Sequence, residues 1–112
     1  MNKMYVEYLK EREGAEVLEL PEGFAVIKQL PDCLYLQDIY VKPEFRKTGI
    51  GRSMLEVVEQ SAKNLGYSKV LGSCSPLASG STGSLKAMLA CGFELSSCEK
   101  DLIFLVKKVQ NG

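Results

Sequence analysis

The chain contains no histidine, and its four cysteines form no C-x-x-C pair. Without histidine, Ser-His-Asp and Cys-His catalysis are excluded, and so is any site that depends on an imidazole base or ligand. Isolated cysteines disfavour a zinc centre and are typical of free thiols in a reducing compartment. We therefore expect a cytoplasmic protein without a metal, and with free thiols at Cys33, Cys74, Cys91 and Cys98.

An excess of one charge and a long apolar run are also missing. Fourteen basic residues balance fourteen acidic ones, so no net field favours nucleic acid or a membrane surface as a partner. No stretch is apolar enough to span a bilayer, and the first residues lack the apolar region of a signal peptide. With 46% hydrophobic residues over 112 positions, we expect one globular domain across residues 1–112.

The apolar patterns predict three helices and six strands. Periodicity and turn residues place helices at 2–12, at Ile50 to Leu65 and at Leu85 to Cys91. The predicted strands are Ala15 to Leu20, Phe24 to Leu30, Leu34 to Val41, Lys69 to Cys74, Phe93 to Ser97 and Asp101 to Val109. This order predicts an α/β (α+β) fold with a mixed sheet flanked by helices, in which residues 1–14 form an N-terminal helix and 15–109 the core.

A turn with two glycines, residues 46–51, joins the third strand to the second helix. It reads Arg-Lys-Thr-Gly-Ile-Gly, and Arg52 follows it. The first N–H groups of a helix lack intrahelical partners, and the helix dipole adds positive charge there. Glycines at this point allow an anion to approach the backbone closely. The turn therefore predicts a phosphate site.

Three glycine patterns compete for this turn. A Walker A loop is absent, and a dinucleotide-binding loop would place Met54 where a small residue is needed. The third pattern, [RQ]-x-x-G-x-[GA] after a strand ending in Val-x-Pro, matches in full from Asp38 to Gly51. That segment closely resembles the acyl-CoA-binding motif of the GNAT superfamily of N-acetyltransferases. The segment Leu85 to Phe93 is similar to the family's later helix, which ends in Gly-Phe.

The resemblance implies a cofactor site for acetyl-CoA. In the family the strand before the motif splays from its neighbour, and the pantetheine arm enters the resulting wedge. Backbone groups near Ile39 and Val41 would pair with that arm, and an N–H near Tyr40 or Val41 would stabilise the oxyanion. The pyrophosphate would bind beside Arg46 at the backbone amides of Lys47, Thr48, Gly49, Ile50, Gly51 and Arg52. Transfer to the amine would be direct, without a covalent enzyme intermediate.

Catalytic side chains are less well marked in the sequence. Family members commonly carry a carboxylate base in the strand before the motif, which makes Asp38 the candidate, although it could equally serve a local hydrogen bond. Strand alternation puts Gln37 and Asp38 on opposite faces unless a bulge intervenes. Met88 lies where the family usually has the tyrosine that acts as general acid. Ser81 and Ser84 could reach the cofactor, with Ser84 a weak acid candidate, but capping the helix explains them equally well.

The chain also resembles a short form of the family, with a reduced N-terminal part. The acceptor side would then be open, closed by a second subunit in a homodimer, or built for a protein amine, and Tyr5, Tyr8 and Tyr35 could line it. We expect either a small-molecule or a protein amine as acceptor, and neither nucleic acid nor membrane as partner. The alternative function is a non-catalytic CoA-binding or protein-interaction module on the same fold.

Overall fold

The computed structural model describes residues 2–77 and 81–109, with only the backbone described at Ser81 and Thr82. Within these residues, three α-helices and six β-strands follow one another in the predicted order, with one short 3₁₀ helix at Pro43–Phe45. The helices are α1 (Lys3–Glu13), α2 (Ile50–Asn64) and α3 (Ser81–Ala90). The strands are β1 (Ala15–Leu20), β2 (Gly23–Gln29), β3 (Leu34–Val41), β4 (Lys69–Cys74), β5 (Glu94–Glu99) and β6 (Leu102–Lys108).

The strands form one six-stranded sheet in the order β1-β2-β3-β4-β6-β5. Only β3 and β4 pair in parallel, and every other neighbouring pair is antiparallel. This mixed, mostly antiparallel sheet flanked by helices confirms the predicted fold class. The parallel pair sits at the centre because the crossover from β3 to β4 runs through α2.

Local sequence signals account for most of the helix ends. The side chain of Asn2 accepts a hydrogen bond from the N–H of Met4 at 2.8 Å, and Gly14 ends α1 in the left-handed conformation at φ 64°. Helix α3, however, begins at Ser81 rather than at the predicted Leu85. Its first turn carries small and polar residues, so the apolar periodicity that we used begins one turn late.

One main core lies between the sheet and helices α2 and α3. Met54, Leu55 and Val58 of α2 and Met88 of α3 pack on the inward side chains of the central strands, including Leu36. Helix α1 covers the opposite face, where its one buried residue, Leu9, packs with Ala15 and Val26. Among the described residues, no helix has the length and apolarity to cross a membrane.

The two parallel strands separate soon after they meet. Strand β3 pairs with β4 only from Leu34 to Leu36, against Val70 to Gly72, although the strands continue to Val41 and Cys74. Beyond that last pair, β3 stays bonded to β2 and β4 stays bonded to β6. The central strands are therefore splayed as the family resemblance implied, and the gap between them opens toward their carboxyl ends.

Candidate functional site

A cleft of about 490 Å³ lies beside the open part of β3. Its walls come from β3, from the turn before α2, from the first turn of α2 and from α3. The lining residues are Ile39, Tyr40, Val41, Arg46, Lys47, Gly49, Gly51, Arg52, Gly83, Ser84, Lys86 and Ala87. The cleft thus gathers one segment of β3 and two helix starts that the chain separates by more than thirty positions.

The turn before α2 has an unusual backbone. Both Lys47 (φ 64°) and Gly49 (φ 89°) adopt the left-handed conformation. Gly49 forms the N-cap of α2 without any side-chain cap, and the first helical bond from this residue runs from its carbonyl to the N–H of Ser53 at 3.0 Å. The N–H groups of Ile50, Gly51 and Arg52 therefore lack partners within the helix. Such a helix start is suited to bind an anion.

Gly51 lies where α2, α3 and β3 approach one another. A Cβ atom added there would lie 3.8 Å from the Cβ of Ala87 and 3.9 Å from a methyl group of Val41. These are ordinary contact distances, so one extra carbon fits and a branched side chain would enter the cleft. The small residue keeps the helix start accessible from the cleft.

Arg46 is held in place by β3. Its Nε donates a hydrogen bond to the carbonyl oxygen of Val41 at 3.0 Å, and its guanidinium carbon lies 5.7 Å from the ring centroid of Tyr40. Tyr40 in turn packs against Phe24, with 5.6 Å between ring centroids. A cation–π contact and a hydrogen bond therefore fix the Arg46 charge at the mouth of the cleft.

Two residues of the predicted phosphate turn do not line the cleft. The hydroxyl of Thr48 donates to the carbonyl of Phe45 and closes the turn. Ile50 packs on the core with its side chain half-buried. Only their backbone amides can serve the predicted role, in agreement with a site built from helix N–H groups.

The cleft carries positive charge. Arg46, Lys47, Arg52 and Lys86 contribute four cationic side chains, and none of its described lining residues is acidic. The carboxylate of Glu56 approaches Arg52 only to 3.8 Å, and both side chains are 66% exposed, so this pair neutralises little of the Arg52 charge. The cleft is therefore suited to a ligand with several phosphate charges.

A β-bulge decides where Asp38 lies. On β2, Val26 pairs with Asp38 while the next residue, Ile27, pairs with Leu36, so Gln37 is the extra residue. After the bulge Ile39 and Val41 pack toward α2, and Asp38 takes the opposite face. Asp38 thus does not line the cleft itself, but stands beside it on β3, next to the point where the strands separate.

The carboxylate of Asp38 accepts a hydrogen bond from the N–H of Ile39 at 2.9 Å. Partial burial of the otherwise exposed side chain raises the pKa of this carboxyl above its ordinary value, while the Ile39 hydrogen bond acts in the opposite direction. A raised pKa brings a carboxylate closer to the range in which it can accept a proton from an amine. The local hydrogen bond and the base role considered for Asp38 are thus compatible.

Of the α3 side chains considered from the sequence, Ser84 lies in the cleft and Met88 does not. Ser84 lines the cleft and is half-buried. Met88 is fully buried in the core, where its sulfur fills the space above Gly72. The Ser81 side chain lies outside the described residues. Among the described residues, no cluster of histidine, cysteine, aspartate or glutamate could hold a metal ion.

Sequence reasoning missed three lining residues, Gly83, Lys86 and Ala87. Gly83 is three positions before Lys86 and four before Ala87, and these spacings are the periodicity of one helix face. The signal was present in the sequence, but only the packing of α3 beside α2 shows that this face turns toward the phosphate turn. Lys86 adds a fourth positive charge from the opposite wall.

Comparison with known proteins identifies one family. The model of the acetyltransferase (GNAT) family matches residues 8–93. No curated protein sequence matches the chain. A GNAT family acetyltransferase from Elizabethkingia anophelis, solved with acetyl-CoA bound, superposes with a TM-score of 0.73 at 19% identity, over 96% of this chain and 84% of that one.

Other solved structures have the same fold. The IAA acetyltransferase from Bacillus cereus gives a TM-score of 0.74 at 20% identity, covering 96% of this chain and 85% of that one. An acetyltransferase from Bacillus subtilis in complex with CoA gives 0.73 at 19% identity, covering 97% and 85%. Nourseothricin acetyltransferase gives 0.66 at 20% identity, and this chain spans only 58% of its length.

Proposed function

The chain belongs to the GNAT acetyltransferase family, and from that premise we propose that it transfers an acetyl group directly from acetyl-CoA to an amine. The observation that carries the proposal is the cleft between α2 and α3, where an uncapped helix start and four cations adjoin a splayed strand. A polyanion with a long, strand-like arm fits this combination of features better than a compact phosphate ester does.

The proposed orientation follows from the walls of the cleft. The pyrophosphate binds at the N–H groups of Ile50, Gly51 and Arg52, with Arg46 and Lys47 beside it. The pantetheine arm runs along β3 and pairs with backbone groups of Ile39 and Val41, as a neighbouring strand would. Lys86 attracts a phosphate of the nucleotide end from the α3 side.

The proposed chemistry needs one base and one polarising group. Asp38 takes a proton from the acceptor ammonium, directly or through water, so that the nitrogen lone pair can attack the thioester carbonyl. A backbone N–H of Tyr40 or Val41 stabilises the negative charge that develops on the carbonyl oxygen. The C–S bond then breaks, and the thiolate takes up a proton. Ser84, which lines the cleft, is the proposed donor.

The second candidate function is a module that binds CoA without turnover. It is favoured by Met88, which is buried in the core at the position where family members carry the tyrosine that acts as general acid. The enzyme remains our proposal, because direct transfer needs proximity and backbone polarisation more than it needs an acid for a thiolate.

Titration calorimetry with acetyl-CoA tests the binding half of the proposal. Saturable binding is expected, and no heat of binding at high micromolar protein would overturn it. Release of free thiol across a panel of small amines and peptides with one free amine tests the transfer half. Binding without thiol release on every acceptor would favour the non-catalytic module.

Three predictions from the sequence accompany this function without being tested by it. They are a cytoplasmic location, a homodimer that closes the acceptor side, and an acceptor that is either a small molecule or a protein amine. The four cysteines are free thiols, as expected from the sequence.

A further inference from the structure

A hydroxyl pair bridges the two central strands where they begin to separate. The phenolic oxygen of Tyr35 on β3 lies 2.7 Å from the hydroxyl oxygen of Ser73 on β4, and both side chains are half-buried. Tyr35 is paired with Leu71, so its ring leans two residues along β4 to reach Ser73. Because the strands are parallel and open toward their carboxyl ends, the phenol points to the opening.

Asp38 lies on the same face of the sheet as this pair, three residues beyond Tyr35 on β3. The last paired residues of the two strands are Leu36 and Gly72, and both lie on the face of the sheet that α2 and α3 cover. Beyond this last pair, Ser73 is the first residue of β4 whose side chain lies on the other face of the sheet. Because of the bulge at Gln37, Asp38 is the first residue of β3 beyond the pair on that same face. A carboxylate and two hydroxyls thus flank the start of the gap from its two walls.

An apolar strip adjoins these polar groups on the same face. On β6, Phe104 is paired with Ser73 and Val106 is paired with Leu71. The apolar side chains of Leu71, Phe104 and Val106 are only half-buried. The buried contact of α1, through Leu9, lies on β1 and β2 instead. The strip therefore offers apolar surface next to the polar groups.

We propose that Asp38, Tyr35 and Ser73 bind the ammonium group of the acceptor, and that the strip of Leu71, Phe104 and Val106 binds an apolar group attached to it. This inference rests on the proposed acetyl transfer. The acceptor class is then a primary amine that carries a hydrophobic or aromatic group. The carboxylate complements the ammonium charge, and the hydroxyl oxygens accept its remaining hydrogen bonds.

The transfer step balances with these groups. Asp38 takes one proton from the ammonium, and the freed lone pair forms a C–N bond with the thioester carbonyl carbon. The tetrahedral intermediate then breaks its C–S bond. Ser84 gives its hydroxyl proton to the departing thiolate and regains one from the second proton of the nitrogen. The products are the N-acetyl amine and the CoA thiol, and Asp38 returns its proton to water. Tyr35 and Ser73 remain unchanged and orient the nitrogen.

The alternative is that the hydroxyl pair only links β3 and β4. The test therefore measures amine binding, which a purely structural link would not affect separately from acetyl-CoA binding. The probes are 2-phenylethylamine and ethylamine, which share the amine and differ in the aromatic group. The variants are Tyr35→Phe and Ser73→Ala. The matched control is Tyr67→Phe, which also removes a half-buried hydroxyl, one that donates to the carbonyl of Leu30 at 2.7 Å.

Amide chemical shifts are followed by NMR while each amine is added to the full chain, with and without saturating CoA. We expect 2-phenylethylamine to shift the signals of Tyr35, Asp38 and Ser73 and to bind about tenfold more tightly than ethylamine. Tyr35→Phe and Ser73→Ala should each weaken that binding about fivefold while the Kd for acetyl-CoA stays within about twofold of the parent value. Tyr67→Phe should change neither quantity.

Equal binding of the two amines, shifts confined to another surface, or full binding by Tyr35→Phe would each overturn the proposal. Tyr35→Phe keeps the ring and decides the question alone if Ser73→Ala fails to fold. Loss of acetyl-CoA binding by the parent protein would overturn the proposed function instead. The titration without CoA would still show whether the amine site exists.

Discussion

The Nε of Arg46 donates to the carbonyl oxygen of Val41 at 3.0 Å, so the cation of the predicted phosphate turn is tied to the strand that precedes it. The bond points the guanidinium along the cleft wall, beside Tyr40. One side chain thus links the part of the cleft proposed for the pyrophosphate to the part proposed for the pantetheine arm.

Arg46→Ala should weaken acetyl-CoA binding about tenfold, because it removes a charge from the phosphate site and a hydrogen bond that orders the turn. Titration calorimetry at low and at high salt measures the effect, which should shrink at high salt. Arg12→Ala, an exposed arginine of α1, is the control and should leave the Kd unchanged. An unchanged Kd for Arg46→Ala would refute the assignment of this turn.

Substitutions at Gly51 should separate space from helix propensity. Gly51→Ala adds a carbon at ordinary contact distance from Ala87 and Val41, so acetyl-CoA binding should stay within about threefold and the free energy of unfolding should rise by about 0.5 kcal/mol. Gly51→Val places a branched side chain in the cleft and should abolish binding. Calorimetry and urea denaturation measure both, and binding by Gly51→Val at parental affinity would contradict the proposed site.

Lys86→Ala should weaken acetyl-CoA binding about threefold at low ionic strength and less in high salt, since Lys86 adds charge from the α3 wall. Lys10→Ala on α1 removes the same charge far from the cleft and is the matched control. If the two variants bind equally well, Lys86 contributes only to the general field of the protein.

Asp38→Asn should stabilise the protein at neutral pH. The folded pKa of Asp38 is raised above the ordinary value of 3.8, so the stability that this group contributes is complete below that value and is lost as pH rises through the folded pKa. Asparagine stays neutral and can still accept the hydrogen bond from the N–H of Ile39.

Urea denaturation at about pH 3.5 and about pH 7 checks this prediction, with the exposed Asp32→Asn as control. The variant should gain stability over the parent at the higher pH and lose that advantage at the lower one. The opposite order would mean that the charged form of Asp38 is favoured in the fold.

A short segment of the sequence predicted the phosphate turn, and the family resemblance carried by the same segment implied the wedge. Arg46, Gly49 and Gly51 stand between an apolar strand and an amphipathic helix, and a family motif covers the same residues. The sequence could not determine the face of the sheet on which Asp38 lies, since that depends on whether β3 carries a bulge. The pairing of Val26 and Ile27 across the sheet places the extra residue at Gln37.

The sequence itself determined the strand and helix positions, the free thiols, the exclusion of imidazole chemistry and the glycine-bearing start of α2, because each depends on neighbouring residues or on composition. The tertiary structure alone decided that Lys86 lines the same cleft as the predicted phosphate turn, that Met88 is buried, and that Tyr35 meets Ser73 on the face of the sheet that carries Asp38. These relationships join residues that are distant along the chain. They depend on strand register and helix packing, which no local pattern records.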